Sequence, residues 1–359
     1  MPSLPRRHSL VEETAAVLRQ RLEEGEWTAF LPGEMELAAL LRVGRNTVRS
    51  AIRLLETEGR LRTRNGVRRE IITVTGRKPT GRCAILLLAR PENEYPPSTS
   101  AWITETRARL ENLGWSLRIL VEPGAYRSKP SRLLRSLTSG LSGTVWILHR
   151  STPLMQQWFQ DQHLPTVLAG SRHEGIHLPQ VEVDLRAVSR HAAGRFVARG
   201  HQALAVLRPE GPFAGDAECL AAFQEGARGA SVSDLRFRGG TTGVVETLHR
   251  TMARGDFPTG LYILHAEAFA TALTLLQHEG VRIPGQVSLV CREDEPYLAV
   301  LHPEPSRYQH SPRVFAARLA SLVVRPDLAR SRSGPSSLVM PRAVEGATLA
   351  APPIPERNR

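Results

Sequence analysis

A chain of 359 residues with 41% hydrophobic residues can build two or three domains with their own cores, and 23% charged residues place it with globular proteins rather than disordered or fibrous ones. The formal charge of +12 is carried almost wholly by arginine, Lys78 and Lys129 being the two lysines. Residues 1–80 hold 15 Lys and Arg against 10 Asp and Glu, so positive density is highest there, the footprint expected of nucleic-acid binding, although a basic excess can also reflect solubility or genome composition. Three widely spaced cysteines, Cys83, Cys219 and Cys291, argue against a disulfide framework and a cysteine zinc site. No apolar stretch approaches the roughly 18–20 residues of a membrane span, and the N-terminus lacks the apolar core of a signal peptide. A cytoplasmic protein with no membrane partner is expected.

In chain order, residues 9–24 read as an amphipathic helix with Ser9 as N-cap, Glu12 at capping-box spacing, and Gly25 as its end. Residues 31–71 then hold two short helices and a hairpin. Leu37, Leu40 and Leu41 recur at i, i+3, i+4, and Val48, Ile52 and Leu55 at i, i+4, i+7, one buried stripe for each helix. Between them Val43-Gly44 supplies a sharp turn, with Gly44 expected at positive φ. Asn65-Gly66 is a hairpin turn joining Arg62–Arg64 to Val67–Ile71. This is the pattern of a winged helix-turn-helix.

The second helix is then the recognition helix, and Arg45, Asn46, Thr47 and Arg49 cluster at the end that meets base edges. Arginine reads guanine, asparagine reads adenine, and the threonine hydroxyl suits phosphate. On the wing, Arg64, Gly66 and Arg68 are placed to follow the backbone or enter a minor groove.

The run resembles the DNA-binding head of GntR-type bacterial regulators. Leu31-Pro32, Glu34, Glu36-Leu37-Ala38, Arg45, Thr47-Val48-Arg49, Ala51, Leu54, Glu58-Gly59, Leu61 and Gly66 match its pattern position by position. The resemblance implies a double-stranded DNA operator as partner. Three positions depart from it: Gly33 stands for the helix-capping serine, Met35 for an arginine that contacts DNA, and Gly44 for the serine before the recognition arginine.

Residues 1–74 are therefore expected to form the DNA-binding domain, and the aperiodic 75–81 the linker. From Cys83 the pattern changes to short apolar runs alternating with helical stretches. CAILLL, SLRILV, TVWIL and PTVLA read as strands, with helices near 100–113, 130–139 and 152–162 between them. A second series begins at Asp184, with helices near 186–199, 216–228, 242–253 and 266–279 and strands at ALAVL, 234–238, GLYIL and VSLVC. This predicts an α/β fold overall, with doubly wound parallel sheets in two lobes and a ligand cleft at the carboxyl ends of the strands.

Residues 82–347 resemble the periplasmic-binding-protein-like effector domain of LacI/GalR-type regulators. The resemblance is carried by Val183-Asp184, Ala198–His201, Phe223, Glu279–Pro284 before Val287–Val290, and Ser337–Pro341. It implies a homodimer and a small-molecule effector, a sugar or sugar derivative, and an operator affinity controlled by that effector. Repression relieved by ligand is the expected sign. The family's ligand-facing pattern is altered: its arginine falls at Cys219, its Asn-Asp at His265-Ala266, an aspartate at Glu293, and a glutamine at His310 or, shifted by one, Gln309. With His149 and Arg172, the residues Cys219, His265, Glu293 and His310 are the candidate ligand-binding set. Two readings stay open, an altered pocket for a different polar ligand or a ligand-blind dimerisation module.

Enzymatic readings are weaker. His173-Glu174-Gly175-Ile176-His177 spells a zinc-peptidase string, but it follows a strand and carries a central glycine, against the helix such a site needs; a metal-dependent hydrolase using His173 and His177 is the remaining alternative. A pyridoxal-phosphate domain needs a Schiff-base lysine, and Lys129 before Pro130 in a polar loop is the one lysine beyond the linker. No cofactor, metal or catalytic residue is expected. Residues 348–359 read as a disordered tail.

Overall fold

The capping box at Ser9 and Glu12 closes in both directions in the computed structural model. The Ser9 N–H donates to Glu12 Oε2 at 3.0 Å and the Glu12 N–H to Ser9 Oγ at 3.3 Å, which starts α1 (Leu10–Glu23). The structure describes residues 9–23, 27, 31–57, 61–62, 69–71, 82–141, 143–329 and 334–353. They belong to two units, one within residues 1–80 and the other within 81–359.

In the first unit α1 is followed by α2 (Glu34–Leu41), α3 (Arg45–Thr57), β1 (Leu61–Arg62) and β2 (Glu70–Ile71). Leu18, Leu37, Val48, Ile52 and Leu55 are fully buried against one another, so the periodic stripes of the three helices meet in one core. The strands pair antiparallel with Leu61 opposite Ile71, and the Leu31 N–H donates to the Arg69 carbonyl. The hairpin tip with Arg64, Gly66 and Arg68 lies outside the described residues, as do Gly25 and the expected linker. The helix-turn-helix corner differs from expectation. The left-handed residue is Arg42, at φ 54°, whose N–H caps α2 on the Ala38 carbonyl. Gly44 has no positive φ. It precedes α3 and accepts the Val48 N–H.

The second unit is doubly wound. Its chain order is β3 (Arg82–Leu88), α4 (Pro97–Asn112), β4 (Trp115–Val121), α5 (Ser131–Thr138), β5 (Val145–His149), α6 (Pro153–Asp161), β6 (Thr166–Ala169) and β7 (Gln180–Val183). Then come α7 (Leu185–Val197), β8 (Ala203–Pro209), α8 (Ala214–Gly226), β9 (Ser231–Phe237), α9 (Gly240–Met252), β10 (Gly260–Ile263), α10 (Ala266–His278), β11 (Ser288–Cys291) and β12 (Ser306–Gln309). Last are α11 (Pro312–Val323), β13 (Ser336–Val339) and β14 (Arg342–Val344).

Two six-stranded sheets result, ordered β13-β7-β6-β5-β3-β4 and β14-β12-β11-β10-β8-β9, parallel throughout except for the β12–β14 pair. The chain crosses between the lobes three times, at 183–185, 309–312 and 339–342. Strand alternation builds each lobe's two cores. In β3, Ala84, Leu86 and Leu88 face Trp102, Phe315 and Leu319, while Cys83, Ile85 and Leu87 face Leu134, Met155 and Phe159. In β8, Ala205 and Leu207 join the cluster of Leu248 and Phe269, and Leu204 and Val206 that of Phe196 and Phe223.

The tail expectation also fails in part. Thr348 and Leu349 are buried, the Leu289 N–H donates to the Thr348 carbonyl, and the Ala350 N–H donates to Ser288 Oγ. Residues 348–350 are thus an edge of the second lobe, held by backbone hydrogen bonds that composition does not reveal.

Candidate functional site

On the first unit, Arg45 and Asn46 are exposed and Thr47 and Arg49 half-buried at the N-terminal end of α3. The arginines do not stand alone. Glu34, at the first position of α2, accepts Arg45 Nε at 3.1 Å, Arg49 Nη2 at 2.9 Å and Arg69 Nη2 at 2.7 Å. The hydrogen bonds from Arg49 and then Arg69 hold its carboxyl down to about 2, so it stays ionised at any physiological pH. Sequence matching marks Glu34 as part of a pattern but gives it no partners.

The second unit contains a cavity of about 500 Å³ between its lobes. Its wall comes from residues at or just beyond strand carboxyl ends: His149 at the end of β5, Ser171 after β6, Glu182 in β7, His265 after β10, Arg292 and Glu293 after β11, and His310 after β12. Trp102 of α4 and Phe315 of α11, from the first lobe, with Phe213 and Phe237 of the second, supply apolar faces.

At the second-lobe side lies a closed ionic network. Arg292 donates through Nη1 to Asp216 Oδ1 at 2.8 Å and through Nη2 to Glu293 Oε1 at 2.9 Å. The His265 ring lies between the same carboxylates, Nε2 3.1 Å from Asp216 and Nδ1 3.3 Å from Glu293. Burial alone would push both carboxyls up. Arg292 and His265 overcome it and hold them well below the usual range. Burial likewise opposes charge on His265, yet Glu293 and Asp216 raise its pKa.

The first-lobe side behaves oppositely. Desolvation lowers His149 to about 4, so it is neutral; its Nδ1 lies 3.0 Å from the Ala169 carbonyl and therefore carries the proton. That leaves Nε2 as an acceptor, buried and without a hydrogen-bond partner among the described residues. Burial also lowers His310 and raises Glu182, which accepts Ser171 Oγ at 2.6 Å and its neighbour's Val183 N–H at 2.8 Å.

Of the six expected ligand residues, the structure brings His149, His265, Glu293 and His310 to the cavity wall. It places two elsewhere. Arg172 donates through Nη2 to the Gly334 and Pro335 carbonyls at 2.8 and 2.9 Å, bracing the segment before β13. Cys219 is fully buried behind the network, 3.4 Å from Arg292 Nη1, so the guanidinium beside it comes from the end of β11. Asp216, Arg292, Glu182 and Trp102 were not anticipated. Arg292 adjoins the expected Glu293, and Glu182 is the charged position of an alternating strand, which are the signals that could have found them.

The zinc-peptidase string is not helical. His173 Nε2 lies 3.1 Å from the Ser151 carbonyl, the His177 N–H donates to Gln160 Oε1, and no metal-binding cluster occurs among the described residues. No helix among them is long and apolar enough to cross a membrane.

A winged helix-turn-helix and a two-lobed unit with a ligand-sized cavity define, by class, a transcription regulator. The profile described as bacterial regulatory proteins, gntR family, matches residues 10–71, and that of the periplasmic binding protein-like domain matches 193–349. The chain therefore carries a gntR-family DNA-binding head and a periplasmic-binding-protein-like domain. Among solved structures, a transcriptional regulator CelR–cellobiose complex is 16% identical, with TM-score 0.65, over 89% of this chain and 100% of that one. A periplasmic binding protein/LacI transcriptional regulator from Alkaliphilus metalliredigens QYMF, complexed with D-xylulofuranose, is 15% identical, with TM-score 0.61, over 74% and 98%. A LacI family transcriptional regulator from Mycobacterium smegmatis is 16% identical, with TM-score 0.62, over 75% and 99%. No curated protein matches the chain in sequence.

Proposed function

We propose that a small carbohydrate-related metabolite, bound between the two lobes, sets the operator affinity of this regulator, which acts as a homodimer on a two-fold operator and represses until the ligand binds. The observation that carries this is the cavity at the strand ends, lined by both lobes and by aromatic faces beside polar groups. Its volume suits a mono- or disaccharide. Trp102, Phe213 and Phe315 can cover the apolar faces of a sugar ring, while His149 Nε2 and Glu182 accept from its hydroxyls. Two neighbours of the same fold are described with cellobiose and D-xylulofuranose. Arg45, Asn46, Thr47 and Arg49, with the wing residues Arg64, Gly66 and Arg68, are the DNA-contacting set in this reading.

A ligand acts only through its preference for one arrangement of the lobes. Thermal-shift measurement of the purified chain against sugars, polyols and amino sugars tests the reading, because a ligand of the folded state raises its melting temperature. A raised melting temperature together with weakened operator binding by the same compound is the expected result. A ligand that stabilises the protein without altering operator affinity would refute the control of DNA binding.

A further inference from the structure

Three guanidinium groups from two elements converge on one carboxylate in the DNA-binding head, and Glu34, only 12% exposed, is the group that holds them. Arg45 and Arg49 lie one turn apart on α3, so without a counter-charge they repel each other. Arg69 sits at the base of the wing, one residue before β2, with its carbonyl tied to Leu31.

The way each arginine is used differs. Arg49 turns its side edge to Glu34, donating through Nε at 3.2 Å and Nη2 at 2.9 Å to the same oxygen. Arg45 donates through Nε alone, and its two terminal nitrogens have no hydrogen-bond partner among the described residues. Those two nitrogens form the fork that can take guanine O6 and N7 together. Arg45 is also the more exposed, at 58% against 41% for Arg49.

We propose that Glu34 is the positioning residue of the DNA-reading surface: its carboxylate holds Arg45 with the terminal fork outward and ties recognition helix to wing, so that it confers sequence discrimination rather than affinity. Glu34 touches no base in this scheme and, being negative, opposes the phosphate backbone. Its loss therefore separates two quantities that a merely structural residue would change together. Sequence-independent binding is retained or strengthened, because one negative charge is gone and the freed Arg45 and Arg49 can pair with phosphates, Arg69 keeping Glu56 at 3.5 Å. Selection among sequences falls, because a mobile Arg45 meets guanine and phosphate alike.

The proposal rests on the head being the part that reads DNA. The test uses the full chain and two duplexes, one selected by the wild type from a random pool and one shuffled duplex of equal length. Affinities are read by fluorescence anisotropy across a salt series. In Glu34→Gln the shuffled duplex should bind as tightly as to wild type or more so, while the selected-over-shuffled ratio falls tenfold or more. Glu34→Asp should recover part of that ratio. An unchanged ratio, or a parallel loss of both affinities, overturns the proposal. Should Glu34→Gln lose its helical signal, Arg69→Met takes its place, and an unaltered ratio there overturns it equally. A wild-type chain that selects no duplex overturns the DNA-reading assignment itself, which is a separate failure.

Discussion

Asp216 is the more deeply buried of the two carboxylates that Arg292 and His265 share. It and Arg292 are buried, with side chains 5% and 10% exposed, so removing its charge leaves Arg292 with Glu293 as its one carboxylate partner. Asp216→Asn should cost about 1.5–3 kcal/mol of stability, the range for losing a hydrogen bond to a charged group, as read by urea unfolding. A loss below about 1 kcal/mol would place the pair in the weakly contributing, solvated class. The pH dependence follows in sign. Asp216 and Glu293 are depressed from ordinary values of 3.8 and 4.5, so their stabilisation is present above those values and is lost as pH falls through the folded ones. His265 is raised from 6.5, so its contribution is full below that value and is lost as pH rises through the folded one. The network therefore contributes most between pH 4.5 and 6.5, and His265→Asn should remove the decline on the alkaline side. A decline of unchanged size in that variant would assign it to another group.

At the scale of elements, the cleft is joined by contacts between lobes that do not involve the three crossings. Glu295, beyond β11, accepts both the N–H and the hydroxyl of Ser98 in the first turn of α4, where a carboxylate is favoured by the helix terminus. Arg150 lies over the Phe213 ring at 5.3 Å. Gly215 of α8 lies so close to the first lobe that a Cβ there would come within 2.7 Å of Ser171 Oγ, and within 2.8 Å of Leu185 Cδ1 of its own lobe. Gly215→Ala should hold the lobes apart with little loss of helix stability, alanine being the better helix former. We expect at least tenfold weaker effector binding with wild-type DNA affinity, read by titration calorimetry and anisotropy. Unimpaired effector binding would show that Ser171 and Leu185 yield at no cost. These contacts mark what the sequence makes legible. Period-2 apolar runs and capping signals are local, so β3, β5, β8 and the helices between them are readable to within a few residues. The return of α11 to the first lobe is not, although Ser311 caps it and Val314, Phe315, Leu319 and Leu322 repeat at helical spacing, because β12 before it belongs to the second lobe. The site follows the same division. His149, His265 and Glu293 are legible from their place at or after strand ends, whereas Arg172 in a similar place turns away to two carbonyls, and Arg292, besides its neighbour Glu293, takes partners 73 and 76 residues distant.

For the whole molecule, a head that reads DNA and a cleft that binds a metabolite are one device only if their binding free energies are coupled. Coupling is reciprocal by thermodynamic necessity: an effector that weakens operator binding by a given factor must itself be bound more weakly, by that factor, on the operator complex. Typical coupling of 1–3 kcal/mol corresponds to roughly 5–150-fold, and a tenfold effect requires a tenfold preference of the ligand for one arrangement of the lobes. The prediction is quantitative in both directions. Titrating effector into the free protein and into protein saturated with the selected duplex should give two dissociation constants whose ratio equals the loss of operator affinity measured at saturating effector. Gly215→Ala, by opposing closure, should reduce both ratios together. Equal ratios that shrink together place the control in lobe closure, whereas a Gly215→Ala chain with weakened effector binding and an undiminished ratio would place it in a contact made without closure. An effector bound equally well in both states would reduce the second unit to a ligand-binding and assembly module with no hold on the head.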